Sequence, residues 1–254
     1  FLPFDPLWVD GGATLGGTIA SGVSGPDRLL YGGVRDFVME VAMVDGLGKI
    51  VRGGGKVVKN AAGFDTPKMM VGSYGRLGVL VEATLKVFPA PQAYATLVVP
   101  HTSVQLAINA MQRVLSKPLP ISSVTIDSQH QLCLRVAGPS GSLAGVIERI
   151  RTLLPEKSSQ AVESDSEHLR KALVSWLEQP LSEGQVLIRI GVSPRVIVSL
   201  DSVLANCEHY HLGACSVTWA RLAVSQLDEI DQALSRLGLS AVVVGGRSSK
   251  TFLG

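Results

Sequence analysis

The chain has 254 residues, a net charge of +2 and only 17% charged residues, against roughly 25% in an average soluble domain. That length supplies a core large enough to fold without disulfides or metals, and the near-neutral balance without Lys/Arg clusters excludes electrostatic binding of nucleic acid. Mean hydropathy is +0.31, so some surface is expected to be covered by a partner, a cofactor or further chain, yet no run approaches the ~18 apolar residues of a membrane span.

The opening FLPFDPLWVDGG carries no initiator Met, basic segment or cleavage site. It leads to the expectation that part of the protein lies upstream of residue 1. Thr14–Gly22 then reads as a turn running into a short helix. Phe37–Val44 is a buried strand, Asp45-Gly46 turns it back, and Lys49–Arg52 is its partner. Thr66-Pro67 has the chemistry of a helix start. Gly78–Phe88 alternates, placing Val79, Val81, Ala83, Leu85 and Val87 on one apolar face. Arg52-Gly53-Gly54-Gly55 follows the hairpin and reads as the end of a strand rather than a phosphate loop.

Glycine marks a boundary: residues 1–89 hold 17 of the 27 glycines, and Pro89–Gln92 is the natural hinge. Residues 90–254 alternate strands and helices. Strands are expected at Ala95–Val99, Ile121–Asp127, Gln131–Ala137, Gln185–Val192, Ala214–Leu222 and Ala241–Val244. Helices are expected at Thr102–Leu115 (capping box Thr102/Gln105), Ser142–Leu154, Glu167–Leu177, Pro194–Asn206 and Leu227–Leu237. Helices returning between antiparallel strands predict an α+β sandwich of two ferredoxin-like halves.

The glycine clusters have two readings: tight turns of a β-rich domain, or backbone laid bare for a large anionic ligand. Thr14-Leu15-Gly16-Gly17-Thr18 places bare amides at a helix start, where orphan donors favour phosphate. Neither GxGxxG between strand and helix nor GxxxxGK[ST] occurs, which disfavours Rossmann and P-loop readings.

ATLGGTIASG, YGGVRDFVMEVAMVDGLGKIVRGGGKVVKNAAGFD and MMVGSYGRLGVLVEATLKVFP, in that order, closely resemble the FAD-binding domain of the vanillyl-alcohol oxidase / PCMH superfamily. The segment Lys59-Asn60-Ala61-Ala62-Gly63-Phe64-Asp65 is most similar to the FAD-binding E-subunit family of glycolate oxidase (glycolate dehydrogenase). The resemblance implies a PCMH-type FAD-binding domain over residues 1–89, represented by its second subdomain only, with the N-terminal subdomain missing. An α/β ferredoxin-like cap domain with an antiparallel sheet would follow over residues 90–254. Because the closing segment of that family is also missing, an internal fragment that holds FAD weakly or not at all is expected.

By the same resemblance, Asp5 and Pro6 sit at the turn closing over the flavin. Thr14, Gly16 and Gly17 would give hydroxyl and backbone donors to the diphosphate or ribityl chain, while Ala20, Ser21, Gly22 and Ser24 would line the isoalloxazine. Gly32, Gly33 and Val34 would form the loop beneath the cofactor, Arg35-Asp36 an internal ion pair, and Val79 after Gly78 the contact to adenine or diphosphate. A flavin asks for mostly apolar walls plus a few backbone hydrogen bonds, which these segments supply. Residues 1–89 hold no His or Cys, so this part offers no covalent tether.

The implied activity is that of a FAD-dependent oxidoreductase acting on CH-OH groups, oxidising a short 2-hydroxy acid, glycolate to glyoxylate. The implied partners are a homologous flavoprotein subunit and an iron–sulfur subunit, since this chain has no cysteine set for a cluster. The expected location is cytoplasmic, at the inner membrane through those partners. The alternatives are a non-catalytic FAD-binding assembly or electron-transfer subunit, or another PCMH-family FAD-linked oxidase.

No catalytic residue is assigned, because no nucleophile–base pair or useful carboxylate pair is visible. Cys207-Glu208-His209-Tyr210-His211 with Cys215 matches no usual zinc spacing; it reads as a strand-edge turn, and no metal is expected. Cys133, Cys207 and Cys215 read as reduced thiols of an intracellular protein. His101, His130 and His168 are read as surface residues, Trp176 and Trp219 as core or interface. Arg135 and Arg189 are placed on the solvent face of a half-exposed sheet, with carboxylate recognition as the alternative.

Overall fold

A computed structural model describes residues 1–55, 64–154, 162–164 and 166–254. The Lys59–Gly63 part of the resemblance lies outside the described residues. The chain divides into two compact units, residues 1–90 with 174–178, and residues 91–173 with 179–254.

In the first unit, helix α1 (Leu15–Ser21) forms where Thr14 can accept the Gly17 amide at its start and Gly22 can adopt a left-handed φ of 66° at its end. A one-turn helix α2 (Arg28–Tyr31) and a 3-10 turn (Val34–Asp36) lead into strand β1 (Val38–Val44). Asp45 Oδ1 accepts the amides of Leu47 and Lys49, closing the expected hairpin to β2 (Ile50–Gly54). Helix α3 (Thr66–Met70) starts one residue earlier than expected: Asp65, not Thr66, is the cap, its carboxylate accepting from the Lys68 amide. Strand β3 (Val79–Leu85) completes an antiparallel sheet in the order β2-β1-β3. Phe4, Ile19, Phe37, Val41 and Met70 form the buried centre.

The face expected for β3 is corrected. Val79 and Val81 are 67% and 56% exposed, while Leu80 packs against the core with Ala83 and Leu85. Pairing shifts between Ala42↔Glu82 and Met43↔Leu80, so Val81 is an extra residue. A bulge there swaps the faces of the strand's two ends.

The second unit is one nine-stranded antiparallel sheet, in the order β12-β11-β8-β10-β9-β5-β6-β4-β7. Its first half runs β4 (Ala93–Pro100), α4 (Val104–Leu115), β5 (Ile121–Asp127), β6 (Gln131–Gly138), α5 (Leu143–Leu153), β7 (Val162–Ser164). Helix α6 (Ser166–Glu178) leads to the second half: β8 (Gln185–Gly191), α7 (Ile197–Val203), β9 (Glu208–Leu212), β10 (Val217–Ala223), α8 (Leu227–Leu237), β11 (Ala241–Gly246), with β12 (Phe252–Leu253) at the edge. Each half is a βαββαβ unit with its strands ordered fourth, first, third, second, the ferredoxin-like arrangement. The halves join where β5 pairs with β9 through Thr125↔Leu212, Ile126↔His211 and Asp127↔Tyr210. Strand β9 occupies what the sequence presents as a turn. The cap of α4 is Ser103, which accepts the Leu106 amide, rather than Thr102.

Candidate functional site

The candidate site in the first unit is built from α1 outward. An α-helix cannot pair its own first amides. Thr14 takes that of Gly17 at 3.1 Å, and those of Leu15 and Gly16 remain at an exposed end beside exposed Thr14 and Gly17. Along the same helix Ala20, Ser21 and Gly22 are half-buried. The segment 71–75 lies against its carboxyl end: the Gly72 amide donates to the Ile19 carbonyl at 3.2 Å and the Tyr74 amide to that of Ala20 at 2.8 Å. A Cβ on Gly22 would stand 3.2 Å from Gly72 Cα. At the amino end, a Cβ on Gly16 would meet Leu80 of β3 at 3.7 Å, ordinary contact. Among the described residues strand β3 is the edge of its sheet, so Val79, exposed and paired with Val44, keeps backbone groups on its outer side. The structure thus sets the amino end of α1 at Gly16 against Leu80 of β3, next to Gly78 and Val79, and the carboxyl end at Ala20 and Gly22 against the segment 71–75.

The other predicted residues form a second, buried cluster, reached from Gly22 through Val23. Ser24 Oγ accepts the Val34 amide at 3.0 Å, and the Gly25 amide donates to the Phe4 and Asp5 carbonyls. Asp5 is buried at a φ of 54°, and Pro6 is half-buried beside it. The Gly33 amide donates to Asp36 Oδ2 at 2.9 Å, and Gly32 turns at a φ of 94° over the same carboxylate. The amides of Gly33 and Val34 are therefore engaged within the chain. Gly78 is fixed by the sheet: a Cβ there would stand 2.5 Å from the Val44 carbonyl oxygen. Arg35 and Asp36 have separate partners, Arg35 donating to the Lys68 carbonyl at 2.7 Å. Sequence reading missed Tyr74, whose amide ties its loop to α1; the only signal was the GSYG spacing.

In the second unit, Arg135 does not face solvent. It is 6% exposed, its guanidinium 3.8 Å over the Tyr94 ring, with Nε donating to Ser166 Oγ at 3.0 Å. Thr96 donates to the same oxygen at 2.7 Å, and Glu167 lies 3.5 Å from Arg135. The first turn of α6 supplies this cover, which strand periodicity cannot foresee. Arg189 is half-buried, and Arg221 donates to the Gln179 carbonyl at 3.0 Å.

His209 and His211 are not at a turn's surface either; they are 2% and 0% exposed on β9. Both aim Nε2 at Asp201 Oδ1 of α7, at 3.1 and 3.4 Å, and His130 reaches Oδ2 at 3.1 Å. Burial raises the Asp201 carboxyl, but the hydrogen bonds to His209, His211 and His130 outweigh it and hold the group well below the usual carboxylate range. Burial pushes His211 down. Neither Asp201 nor His130 stands out in sequence, because the helix and the loop meet β9 only in the fold.

No family model matches the chain. Glycolate oxidase subunit GlcE of Escherichia coli (strain K12) is 42% identical over 147 residues, which are 58% of this chain and 41% of that protein. A D-lactate dehydrogenase of Archaeoglobus fulgidus is 36% identical over 110 residues, covering 43% of this chain and 25% of the relative. Glycolate oxidase subunit GlcD of Bacillus subtilis (strain 168) is 34% identical over 135 residues, covering 53% and 28%. Each match thus spans less than half the relative's length. A solved structure of alkyldihydroxyacetonephosphate synthase superposes with a TM-score of 0.66 over 93% of this chain and 54% of that one, at 14% identity, a likeness of fold. Among the described residues no helix is long and apolar enough to cross a membrane. The chain is therefore similar in sequence to glycolate oxidase subunits and D-lactate dehydrogenases, and in fold to alkyldihydroxyacetonephosphate synthase.

Proposed function

We propose that this chain is the FAD-binding and cap portion of a glycolate-oxidase-type subunit, an oxidoreductase acting on the CH-OH group of a short 2-hydroxy acid. The observation that carries the reading is the 42% identity over 147 residues to GlcE. The outer face of α1 with the start of β3 fits the edge of a flavin site: first-turn amides and a sheet edge that have no partner among the described residues, the Thr14 hydroxyl and the half-buried Ala20–Gly22. In this reading residues 1–89 are the cofactor domain and residues 90–254 the cap.

Thr14, Gly16 and Gly17 would hold the diphosphate or ribityl chain, and Ala20, Ser21 and Gly22 would line the ring system. Gly78 and Val79 would face the adenine or diphosphate portion. Asp5, Pro6, Ser24, Gly32, Gly33 and Val34 would shape the floor on which α1 rests. When bound, FAD supplies a two-electron acceptor for the hydrogen at C2 of the acid. The protein would work in the cytoplasm, at the inner membrane through a homologous flavoprotein subunit and an iron–sulfur subunit.

The test is flavin content and glycolate-dependent dye reduction by the full-length protein with its partner subunits. A yellow complex that loses flavin when Gly16 is enlarged supports the reading; a full complex that binds no flavin through this subunit ends it. A second reading, in which this subunit supports a paralogue that does the chemistry, is favoured by Arg135. Its guanidinium is already committed to Tyr94 and Ser166 instead of being offered to a carboxylate substrate. Flavin bound here in the unaltered protein, with turnover unaffected by a variant that loses it, would select it.

A further inference from the structure

The second unit contains a cluster with its own chemistry, independent of the flavin reading. Asp201 Oδ1, His209 Nε2 and His211 Nε2 all lie within 4.8 Å of one another. The imidazole nitrogens stand 3.1 and 3.4 Å from that one oxygen. Ligands at about 2.0–2.1 Å from a tetrahedral ion are separated by roughly 3.3 Å, so these spacings suit a shared cation as well as they suit hydrogen bonds.

The far side of each ring decides between the two. His209 Nδ1 lies 2.9 Å from the Cys207 carbonyl oxygen, which can only accept, so Nδ1 carries the proton. In the neutral ring the Nε2 lone pair then faces the Asp201 carboxylate, two acceptors opposed at 3.1 Å inside a buried layer. Something positive must lie between them: a second proton on His209, or a metal ion. His211 Nδ1 meets Thr218 Oγ1 at 2.8 Å, and this hydroxyl accepts from Nδ1–H as readily as it donates. Both rings can therefore present a bare Nε2 to the same point. Anchoring the remote nitrogen to a carbonyl or hydroxyl is how metal-binding histidines are usually oriented.

We propose that Asp201, His209 and His211 bind one divalent transition-metal ion of the zinc class, structural in role, pinning α7 onto β9. His130, at 3.1 Å from the other carboxylate oxygen, orients Asp201. The histidine side of the cluster is closed, with side chains 2% and 0% exposed, whereas Asp201 and His130 are 14% and 27% exposed. Water takes the fourth position on that side. The ligands are borderline nitrogen and oxygen donors, which suit zinc, cobalt or nickel better than calcium or magnesium.

The experiment equilibrates the full-length protein, stripped with a chelator, against Zn2+ and separately Co2+. The readouts are ions retained per chain after gel filtration, the Co2+ ligand-field spectrum and thermal stability. The expected results are one ion per chain, an intense tetrahedral Co2+ spectrum, and a melting temperature that rises with Zn2+ and falls with chelator. Asp201→Asn and His211→Gln should each lower affinity at least tenfold, and His130→Gln about tenfold through lost orientation. Should a variant fail to fold, the Co2+ spectrum of the unaltered chain decides. Less than one ion per chain with no change in melting temperature overturns the proposal and leaves a protonated His209 against Asp201. Retention unchanged in Asp201→Asn overturns it as well, by placing the ion elsewhere.

Discussion

The Gly25 amide donates to the Asp5 carbonyl oxygen at 2.8 Å, and a Cβ on Gly25 would stand 2.3 Å from that same oxygen. The FDP turn and the start of the Gly25-Pro26-Asp27 loop are thus pressed backbone to backbone, which is why Asp5 is buried at a left-handed φ of 54°.

Gly25→Ala cannot be absorbed by a side-chain shift, because the obstacle is main chain. Overpacking of this kind costs about 1–3 kcal/mol or more. A denaturant titration should show the midpoint falling with unchanged slope. An unaltered midpoint would mean that the two segments are not in contact.

Gly16→Ala is the complementary change. The added methyl meets only Leu80, at 3.7 Å, and alanine is favoured over glycine in a helix by about 1 kcal/mol. The flavin-free protein should keep or raise its melting temperature while its affinity for FAD drops severalfold. A variant with unimpaired affinity would remove α1 from the cofactor site.

Arg135→Lys should be destabilising despite keeping the charge. The ammonium group cannot both stack over Tyr94 and donate to Ser166 as the guanidinium does. The expected loss is about 1–3 kcal/mol, read by chemical denaturation, with KM for the hydroxy acid unchanged. A raised KM at unchanged stability would instead make Arg135 a substrate ligand.

Burial pushes the thiols of Cys133 and Cys215 up to about 12, and raises Cys207 as well. At pH 8 a disulfide reagent should find no rapidly reacting thiol at buried Cys215 in the native chain, and all three cysteines after denaturation. The unfolded chain releases thiol protons above about pH 8.5, while the native one keeps those of Cys133 and Cys215 until about 12. The unfolded state then binds fewer protons, so stability declines as pH rises through that window. Constant stability from pH 8 to 10 would contradict the burial of these thiols.

Local chemistry made much of this legible. The TLGGTIASG helix with its Thr14 cap, the Asp45-Gly46 hairpin and six strands of the second unit follow from capping, turn and periodicity rules applied to contiguous residues, whereas β7, β9 and β12 do not. What periodicity misplaced was decided by another part of the chain. The bulge at Val81 turns Val79 outward and Leu80 inward. The first turn of α6 buries Arg135, and α7 brings Asp201 to histidines eight and ten residues away. In the second cluster the amides of Gly33 and Val34 serve the chain's own packing. A glycine needed for backbone crowding and one needed for a ligand look alike in sequence.

Fluorescence titration of the flavin-free, full-length protein with FAD bears on the whole account most directly. Saturable binding of one FAD per chain, weakened by Gly16→Ala in a protein that is no less stable, is the predicted result. A folded, full-length chain that never quenches flavin fluorescence at any concentration tried would contradict it.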